Sequence, residues 1–271
     1  MTGALHELGL RLTWRAQVAA FHSPANVRLL MAASLPRLAR HTGRGSGALA
    51  RALRSMALGR VPAEEREWAA RIEARRQALF AQDGVVRPFE AGLPATVSAA
   101  TGGVSIPPVW GPFLMRLVRE LSPELCLELG TGVGISTAYQ AAALDLNGAG
   151  RLITIDGSPE WAALAEQGLS ALGLGRVQGE VGPIASTLPG ALEDQPPVDY
   201  ALVDAEHTQE ATVGYFHSLL PYLSDGAVVV FDDIPWTSGM RRAWRAIARH
   251  PRVSGFALGR MGVAVMSTAP G

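Results

Sequence analysis

The 271-residue chain contains no lysine, so all 24 basic side chains are arginine and no lysine can act as a catalytic base. Its single cysteine, Cys126, excludes a disulfide within the chain and a zinc site made of cysteines. No apolar run reaches the roughly 18 residues of a membrane span. The N-terminus also lacks the charged and apolar regions of a signal peptide. These absences predict a soluble, cytoplasmic protein with no membrane span.

Charge is unevenly distributed although the net charge is zero. Residues 1–100 hold 14 Arg and 7 acidic residues (+7), whereas residues 101–271 hold 10 Arg and 17 acidic residues (−7). The arginine-rich run at residues 37–60 contains no aromatic side chain on which a base could stack. This pattern favours a solvated helical face, and we expect no nucleic-acid partner.

The stretch LCLELGTGVGIST at residues 125–137 has the pattern of a strand, a tight turn and the beginning of a helix. Glycines at 130, 132 and 134 allow a positive φ and close approach of the backbone to a ligand. The N-terminus of the following helix offers unpaired N–H groups to a polar or anionic ligand. Such a turn also occurs in ordinary strand-to-helix connections, so it identifies no ligand by itself.

An acidic residue, Asp156, ends the next strand-like run, RLITID. A carboxylate at this position can accept hydrogen bonds from ribose hydroxyls. The glycine pattern is G-x-G-x-G, preceded by Glu128, and it lacks the third glycine of the dinucleotide pattern G-x-G-x-x-G. The spacing therefore disfavours a nicotinamide cofactor.

Strand and helix patterns alternate from about residue 110 onward, with strand patterns at 125–129, 151–156, 176–178, 198–203 and 227–231. They end in two further strand patterns at 253–258 and 262–266. This order predicts an α/β fold: a seven-stranded, mostly parallel, Rossmann-like sheet with an antiparallel C-terminal hairpin. Helical patterns precede it at 4–21, 25–40, 48–58 and 62–81, with a flexible connection at 41–47 and a linking lid at 85–109. We predict a helical extension at 1–97 and an α/β domain at 98–271.

Ligands of open α/β sheets bind beyond the carboxyl ends of the strands, and acidic residues follow most of these ends. The residues concerned are Glu128 and the glycine turn, then Asp156, then Gly179-Glu180, then Asp204-Ala205-Glu206-His207, and finally Asp232-Asp233.

These motifs resemble those of class I S-adenosylmethionine (SAM) methyltransferases, and in particular catechol and caffeoyl-CoA type O-methyltransferases. LELGTGVGIST is similar to their motif I, VDAEH to the end of their fourth strand and FDDIPW to the end of their fifth. FHSP near residue 21, RIEARRQAL at 71–79 and FDDIPWTSGMRRAWRAIARHP also resemble a set of bacterial methyltransferases. The likeness covers most of the chain, although the first hundred residues match only in patches.

The resemblance implies a SAM site in which Ser136 binds the methionine carboxylate and Gly179-Glu180 lie on the adenine side. The cofactor-binding set that we predict is Glu128, Gly130, Thr131, Gly132, Gly134, Ser136, Asp156, Gly179, Glu180 and Asp204.

The resemblance also implies divalent-metal ligands at Asp204 and Asp232, with Asp233 in place of an asparagine ligand. Such oxygen ligands suit Mg²⁺ or Ca²⁺, although an aspartate here can instead cap the following turn. His207 stands where catechol methyltransferases have a catalytic lysine, and its ordinary pKa of about 6.5 suits a general base. Two arrangements stay open: a metal that lowers the acceptor's pKa with help from His207, or His207 removing the proton itself.

The predicted function is SAM-dependent O-methyl transfer to a small-molecule hydroxyl, with His207 and Asp204 as catalytic residues. No N/D-P-P-Y-like motif ends the fourth strand, which disfavours N-methylation of nucleic acid. The alternatives are a non-catalytic binding module that kept the SAM fold and, less favoured, an NAD-dependent oxidoreductase. A homodimer is left open.

Overall fold

A computed structural model describes residues 23–86 and 95–267 of the chain. The helix predicted at residues 4–21 lies outside this part. The helices of the described part are α1 (Pro24–Leu38), α2 (Arg44–Ala57), α3 (Ala63–Phe80), α4 (Val97–Val104), α5 (Gly111–Leu121), α6 (Ile135–Asn147), α7 (Pro159–Leu172), α8 (Ile184–Ala191), α9 (Gln209–Leu219) and α10 (Ser238–Ile247). The strands are β1 (Val85–Val86), β2 (Ala95–Thr96), β3 (Leu125–Leu129), β4 (Arg151–Asp156), β5 (Val177–Val181), β6 (Val198–Val203), β7 (Leu223–Phe231), β8 (Val253–Leu258) and β9 (Met261–Met266).

Seven strands form one sheet in the order β5-β4-β3-β6-β7-β9-β8. The five strands β3 to β7 are parallel to one another. Strand β9 is antiparallel to both β7 and β8. The predicted α/β fold with an antiparallel C-terminal hairpin is therefore confirmed. The chain order reverses between β3 and β6, and this is the place where ligands bind in such sheets.

The central strands are buried because helices cover both faces of the sheet. Every residue of β3 and of β6 is buried, which explains their nearly continuous apolar sequences. The edge strand β5 is partly exposed and correspondingly polar. The bounds of β3, β4, β6 and β8 agree with the sequence prediction residue for residue.

One prediction about a connecting segment is wrong, and another segment contains an unexpected helix. The connection expected at 41–47 is already helical from Arg44, because Gly45 brings the start of α2 against β7: a Cβ on Gly45 would lie 2.3 Å from the carbonyl oxygen of Gly226. The linking segment expected at 85–109 contains α4, whose first turn is capped by Thr96 through its hydroxyl (3.1 Å to the Ala99 N–H).

Helices α1 to α3 share a hydrophobic core with the sheet. Met31, Leu53 and Ile72 belong to the same buried cluster as Val228 and Val230 of β7.

Arg44 at the beginning of α2 binds Asp199 near the amino end of β6 (Nη1 to Oδ1, 2.6 Å). This ion pair lies at the edge of the sheet opposite to the carboxyl ends of the parallel strands. No helix in the described ranges is both long and apolar enough to cross a membrane.

Candidate active site

The three glycines in the turn between β3 and α6 have a left-handed backbone. The φ angles of Gly130, Gly132 and Gly134 are 98°, 52° and 83°. A Cβ on Gly130 would lie 2.1 Å from the carbonyl oxygen of Asp204, and a Cβ on Gly134 would lie 2.8 Å from the Cα of Ala165. The turn thus depends on glycine for its conformation and for its contact with the end of β6.

Glu128, a predicted cofactor residue, is fully buried beneath this turn. Its carboxylate accepts hydrogen bonds from the hydroxyls of Thr137 (2.5 Å) and Thr154 (2.7 Å) and from the side-chain amide of Gln140 (2.7 Å). Burial raises the pKa of Glu128 to about 7, against the opposing effect of these hydrogen bonds. The carboxylate therefore ties together β3, β4 and α6.

Asp156 at the end of β4 supports the turn from the other side. Its Oδ2 accepts a hydrogen bond from the Gly132 N–H (2.8 Å) and its Oδ1 accepts one from the Ser158 N–H (2.7 Å). Burial raises the pKa of Asp156, although these backbone hydrogen bonds favour the charged form. A carboxylate has about four lone-pair positions, so it can still accept a hydrogen bond from a ligand hydroxyl.

The remaining predicted cofactor residues lie on both sides of the turn. Thr131 is buried and its hydroxyl lies 2.6 Å from that of Thr154, while Ser136 is buried in the first turn of α6. Gly179 and Glu180 line a cavity of about 590 Å³ between α7 and β5, to which Thr131 also contributes.

The end of β6 carries an Asp–His pair. His207 Nε2 lies 3.1 Å from Asp204 Oδ1 and 3.9 Å from Asp233 Oδ2, and its ring meets the ring of Trp236 edge-on at 4.9 Å. Burial disfavours the charged imidazolium, but the hydrogen bond to Asp204 and the charges of Asp204, Asp233 and Asp232 outweigh it, so the pKa of His207 is raised. The imidazole is therefore a stronger base than an ordinary histidine.

The backbone at these strand ends is strained. Glu206, His207 and Asp233 have φ angles of 55°, 49° and 53°, a region that residues other than glycine seldom adopt. They account for three of the five such residues in the described ranges. Strain of this kind concentrates at functional sites, where the surrounding structure compensates for it.

The end of β7 carries two carboxylates held by an arginine. Arg260 donates from Nε to Asp232 Oδ1 (2.7 Å) and from Nη2 to Asp232 Oδ2 (2.6 Å), and Nη2 also lies 2.8 Å from Asp233 Oδ1. Burial raises the pKa of both aspartates, and for Asp233 the neighbouring Asp232 charge adds to the effect. Burial opposes the charged guanidinium, but the charges of Asp232 and Asp233 raise the pKa of Arg260.

Sequence reasoning missed Arg260. Because β9 runs antiparallel to β7 with Phe231 opposite Gly262, the residue just before β9 must lie beside the carboxyl end of β7. The position of Arg260 could have been predicted by pairing the second strand of the C-terminal hairpin with β7.

Comparison with known proteins shows which enzymes this chain is similar to. A family model described as a methyltransferase domain matches residues 127–234. A catechol O-methyltransferase of Niastella koreensis is 34% identical over 147 residues, which cover 54% of this chain. The match spans 61% of that relative's length, so less than two thirds of it is represented.

Solved structures with the same fold include two O-methyltransferases. The enzyme of Bacillus cereus, solved with SAH, superposes with a TM-score of 0.58 at 24% identity over 73% of this chain and 91% of its own. TomG of Streptomyces achromogenes, solved with SAM, superposes with a TM-score of 0.53 at 26% identity over 60% of this chain and 82% of its own.

The sheet order and these superpositions show the Rossmann-like fold of class I methyltransferases. The chain is similar to SAM-dependent methyltransferases in this region and in its fold. In sequence, it is similar to a catechol O-methyltransferase.

Proposed function

We propose that this protein transfers the methyl group of SAM to a hydroxyl of a small molecule, with His207 as the general base. The observation that carries the proposal is the hydrogen-bonded pair of His207 and Asp204 at the sheet edge that also holds the glycine turn. The contact between Gly130 and the carbonyl of Asp204 makes these two features parts of one site.

The residues at this edge fit the cofactor. The turn leads into the N-terminus of α6, where Ser136 lies in the first turn and N–H groups have no partner within the helix. Asp156 keeps acceptor capacity for a ribose hydroxyl, and we assign the cavity lined by Gly179 and Glu180 to the adenine side. When bound, SAM supplies an electrophilic methyl group on its sulfonium.

Glu128 contributes indirectly in this proposal. Its carboxylate is occupied by Thr137, Thr154 and Gln140, so it holds the turn in shape beneath the cofactor.

His207 removes the proton from the acceptor hydroxyl. An ionised Asp204 can only accept, so Nε2 carries the hydrogen of their 3.1 Å hydrogen bond and Nδ1 keeps the lone pair that accepts the proton. Asp204 then stabilises the imidazolium that forms. Holding the acceptor in line with the methyl group is the second task of the site, and alignment of this kind supplies roughly 7–11 kcal/mol.

Trp236 is the side chain that we assign to the acceptor pocket. It is 46% exposed although it is large and apolar, and its ring contacts the ring of His207. An aromatic surface beside the base suits the planar face of a phenol or catechol.

A divalent metal does not fit the carboxylates of this edge as they stand. Both oxygens of Asp232 accept hydrogen bonds from Arg260, and Asp233 Oδ1 lies 2.8 Å from Nη2 of the same guanidinium without a hydrogen bond. Within the described ranges, no group of three or more His, Cys, Asp or Glu side chains is arranged to hold a metal ion. We therefore favour the arrangement in which His207 acts without Mg²⁺ or Ca²⁺.

The proposal also includes the localisation, the domain organisation and the oligomeric state of the protein. We expect action in a bacterial cytoplasm, and we retain residues 1–97 as a helical extension of the domain at 98–271. A homodimer stays an alternative to the monomer. The competing proposals, a non-catalytic module and an NAD-dependent oxidoreductase, predict no methyl transfer and no SAM binding, respectively.

The test combines calorimetry with an acceptor screen. We expect SAM or S-adenosylhomocysteine to bind with a micromolar dissociation constant, about −8 kcal/mol, and NAD not to bind. Phenols, catechols, sugars and acids are then screened with labelled SAM. With the acceptor found, His207→Ala should lower turnover roughly 10²–10⁴-fold while SAM affinity barely changes.

The matched control is His217→Ala, which makes the same chemical change at an exposed position on α9. Its turnover should equal that of the wild type. A His207→Ala variant that also methylates the acceptor at the wild-type rate would remove His207 from the mechanism.

A further inference from the structure

We propose that the guanidinium of Arg260 takes the place of the divalent cation at the end of β7, so that this protein binds no metal there and needs none. The part that concerns turnover rests on the proposed function, whereas the part that concerns metal binding does not. The argument starts from the contacts of Arg260.

Arg260 holds Asp232 in a bidentate pair. Nε and Nη2 each contact one oxygen of Asp232, at 2.7 and 2.6 Å, and Nη2 also lies 2.8 Å from Asp233 Oδ1. The planar guanidinium matches a carboxylate in this two-pronged geometry and stays charged at all physiological pH values. Three of the four oxygens on these two aspartates thus face a fixed positive charge.

The arginine is part of the framework. Its backbone lies in the turn between β8 and β9, and its carbonyl accepts a hydrogen bond from the Ile234 N–H (2.9 Å). Its side chain is 12% exposed and that of Asp232 is 0% exposed. A buried pair of this kind is strongly destabilised when one partner is removed, because the other charge is left uncompensated.

A divalent ion cannot share this arrangement. Mg²⁺ requires oxygen ligands at about 2.0–2.1 Å in octahedral geometry, and Ca²⁺ requires six to eight oxygens. An ion bound by Asp232 would replace the contacts of Arg260 and would lie within a few ångströms of its positive charge. The cost of displacing a buried, paired arginine therefore opposes metal binding.

The guanidinium also differs from a metal in what it offers the acceptor. It compensates the charges of Asp232 and Asp233, but it supplies one positive charge instead of two and no vacant coordination position. Activation of the hydroxyl then depends on His207, which is hydrogen-bonded to Asp204 at the same sheet edge.

The experiment is a calorimetric titration of the whole protein with MgCl₂ and with MnCl₂. We expect no saturable binding to the wild type up to millimolar metal. The variant Asp233→Asn should also bind no metal, because Arg260 still pairs with Asp232. The double variant Asp233→Asn/Arg260→Ala should bind one Mn²⁺ per chain more than about tenfold tighter than either, because the carboxylates then face no fixed cation.

Arg245→Ala is the matched control, since it removes an exposed arginine on α10 and the same formal charge. It should bind no metal, which separates the effect of Arg260 from a general change of charge. Circular dichroism checks that each variant is folded, and if the double variant does not fold, the wild-type titration decides.

Saturable binding of one Mg²⁺ or Mn²⁺ to the wild type, abolished by Asp232→Asn, would overturn the proposal. The turnover part is tested by EDTA, which should leave the rate of the wild type unchanged. Loss of activity with EDTA that Mg²⁺ restores would also overturn it. If no acceptor is ever methylated but the titrations come out as expected, the proposed function fails and the replacement of the metal by Arg260 stands.

Discussion

Gly130 joins the glycine turn to the proposed catalytic pair, and its replacement by alanine makes a quantitative prediction. The residue has a φ of 98°, and an added Cβ would lie 2.1 Å from the carbonyl oxygen and 2.8 Å from the carbonyl carbon of Asp204. Both atoms are backbone, so no side chain can rotate away. The ends of β3 and β6 must then separate, which displaces Asp204 and, with it, His207.

The magnitude has two parts. A left-handed conformation costs a residue with a Cβ roughly 1–2 kcal/mol. Forcing an extra carbon into a packed site costs roughly 1–3 kcal/mol. We therefore expect Gly130→Ala to lower the free energy of unfolding by about 2–5 kcal/mol, to weaken SAM binding and to reduce turnover.

Gly148→Ala isolates the first part. Gly148 also has a left-handed φ, 68°, but no atom lies within 4 Å of the Cβ that alanine would add. This control should lose only about 1–2 kcal/mol and keep wild-type SAM affinity. Urea denaturation gives the stabilities and calorimetry gives the affinities. If Gly130→Ala is no less stable than Gly148→Ala and binds SAM as the wild type does, the coupling of the turn to Asp204 is refuted.

Two further predictions concern the carboxylates. The turnover number should rise with pH through an apparent pKa above 6.5, because His207 must be deprotonated to act and its pKa is raised. Asp204→Asn should lower that apparent pKa because it removes the negative charge that favours the imidazolium; an unchanged profile would contradict the assignment. Asp156→Ala should weaken SAM binding by about 1.5–3 kcal/mol for a lost charge-assisted hydrogen bond, with Asp156→Asn as the milder control. Calorimetry that gives equal affinities for all three proteins would exclude Asp156 from the cofactor site.

Much of the sheet could be predicted from the sequence because its strands are short, apolar and separated by turn residues. Strands β3 and β6 are buried on both faces, so their runs stand out from the amphipathic helices around them. The weaker predictions fall where that contrast is absent. Strand β5 is polar and at the edge, and its observed extent, Val177–Val181, is longer than the predicted 176–178 because pairing with β4 stabilises it.

The helical connections were harder to predict, since their residues have low helix propensity. Helix α4 contains VSAATGGV, and its hydrogen-bonded cap at Thr96 offsets two glycines that would otherwise indicate a loop. The beginning of α2 contains Gly45, which lacks a Cβ and so allows the helix to approach β7 closely. In both segments the helical conformation depends on tertiary packing, which cannot be predicted from the local sequence.

In the candidate site, too, some residues could be predicted from the sequence and others depend on tertiary packing. The acidic residues at the strand ends can be read from the sequence because the topology rule says where each strand end must lie. The partners of those residues cannot be predicted in this way. Arg260 lies in a turn late in the chain, and only the pairing of β9 with β7 shows that it is close to the aspartates. Likewise, the burial of Glu128 and its three hydrogen bonds depend on three separate elements.

The left-handed backbone of Asp233 bears on how this site can change during evolution. At a φ of 53°, aspartate, asparagine and histidine are tolerated far better than bulky or β-branched residues. Aspartate and asparagine codons differ by a single nucleotide, so the position can alternate between the two without any adjustment of the main chain. Each exchange shifts the charge beside Arg260 by one unit, so drift at this one codon can retune the electrostatics of the site while the fold around it stays the same.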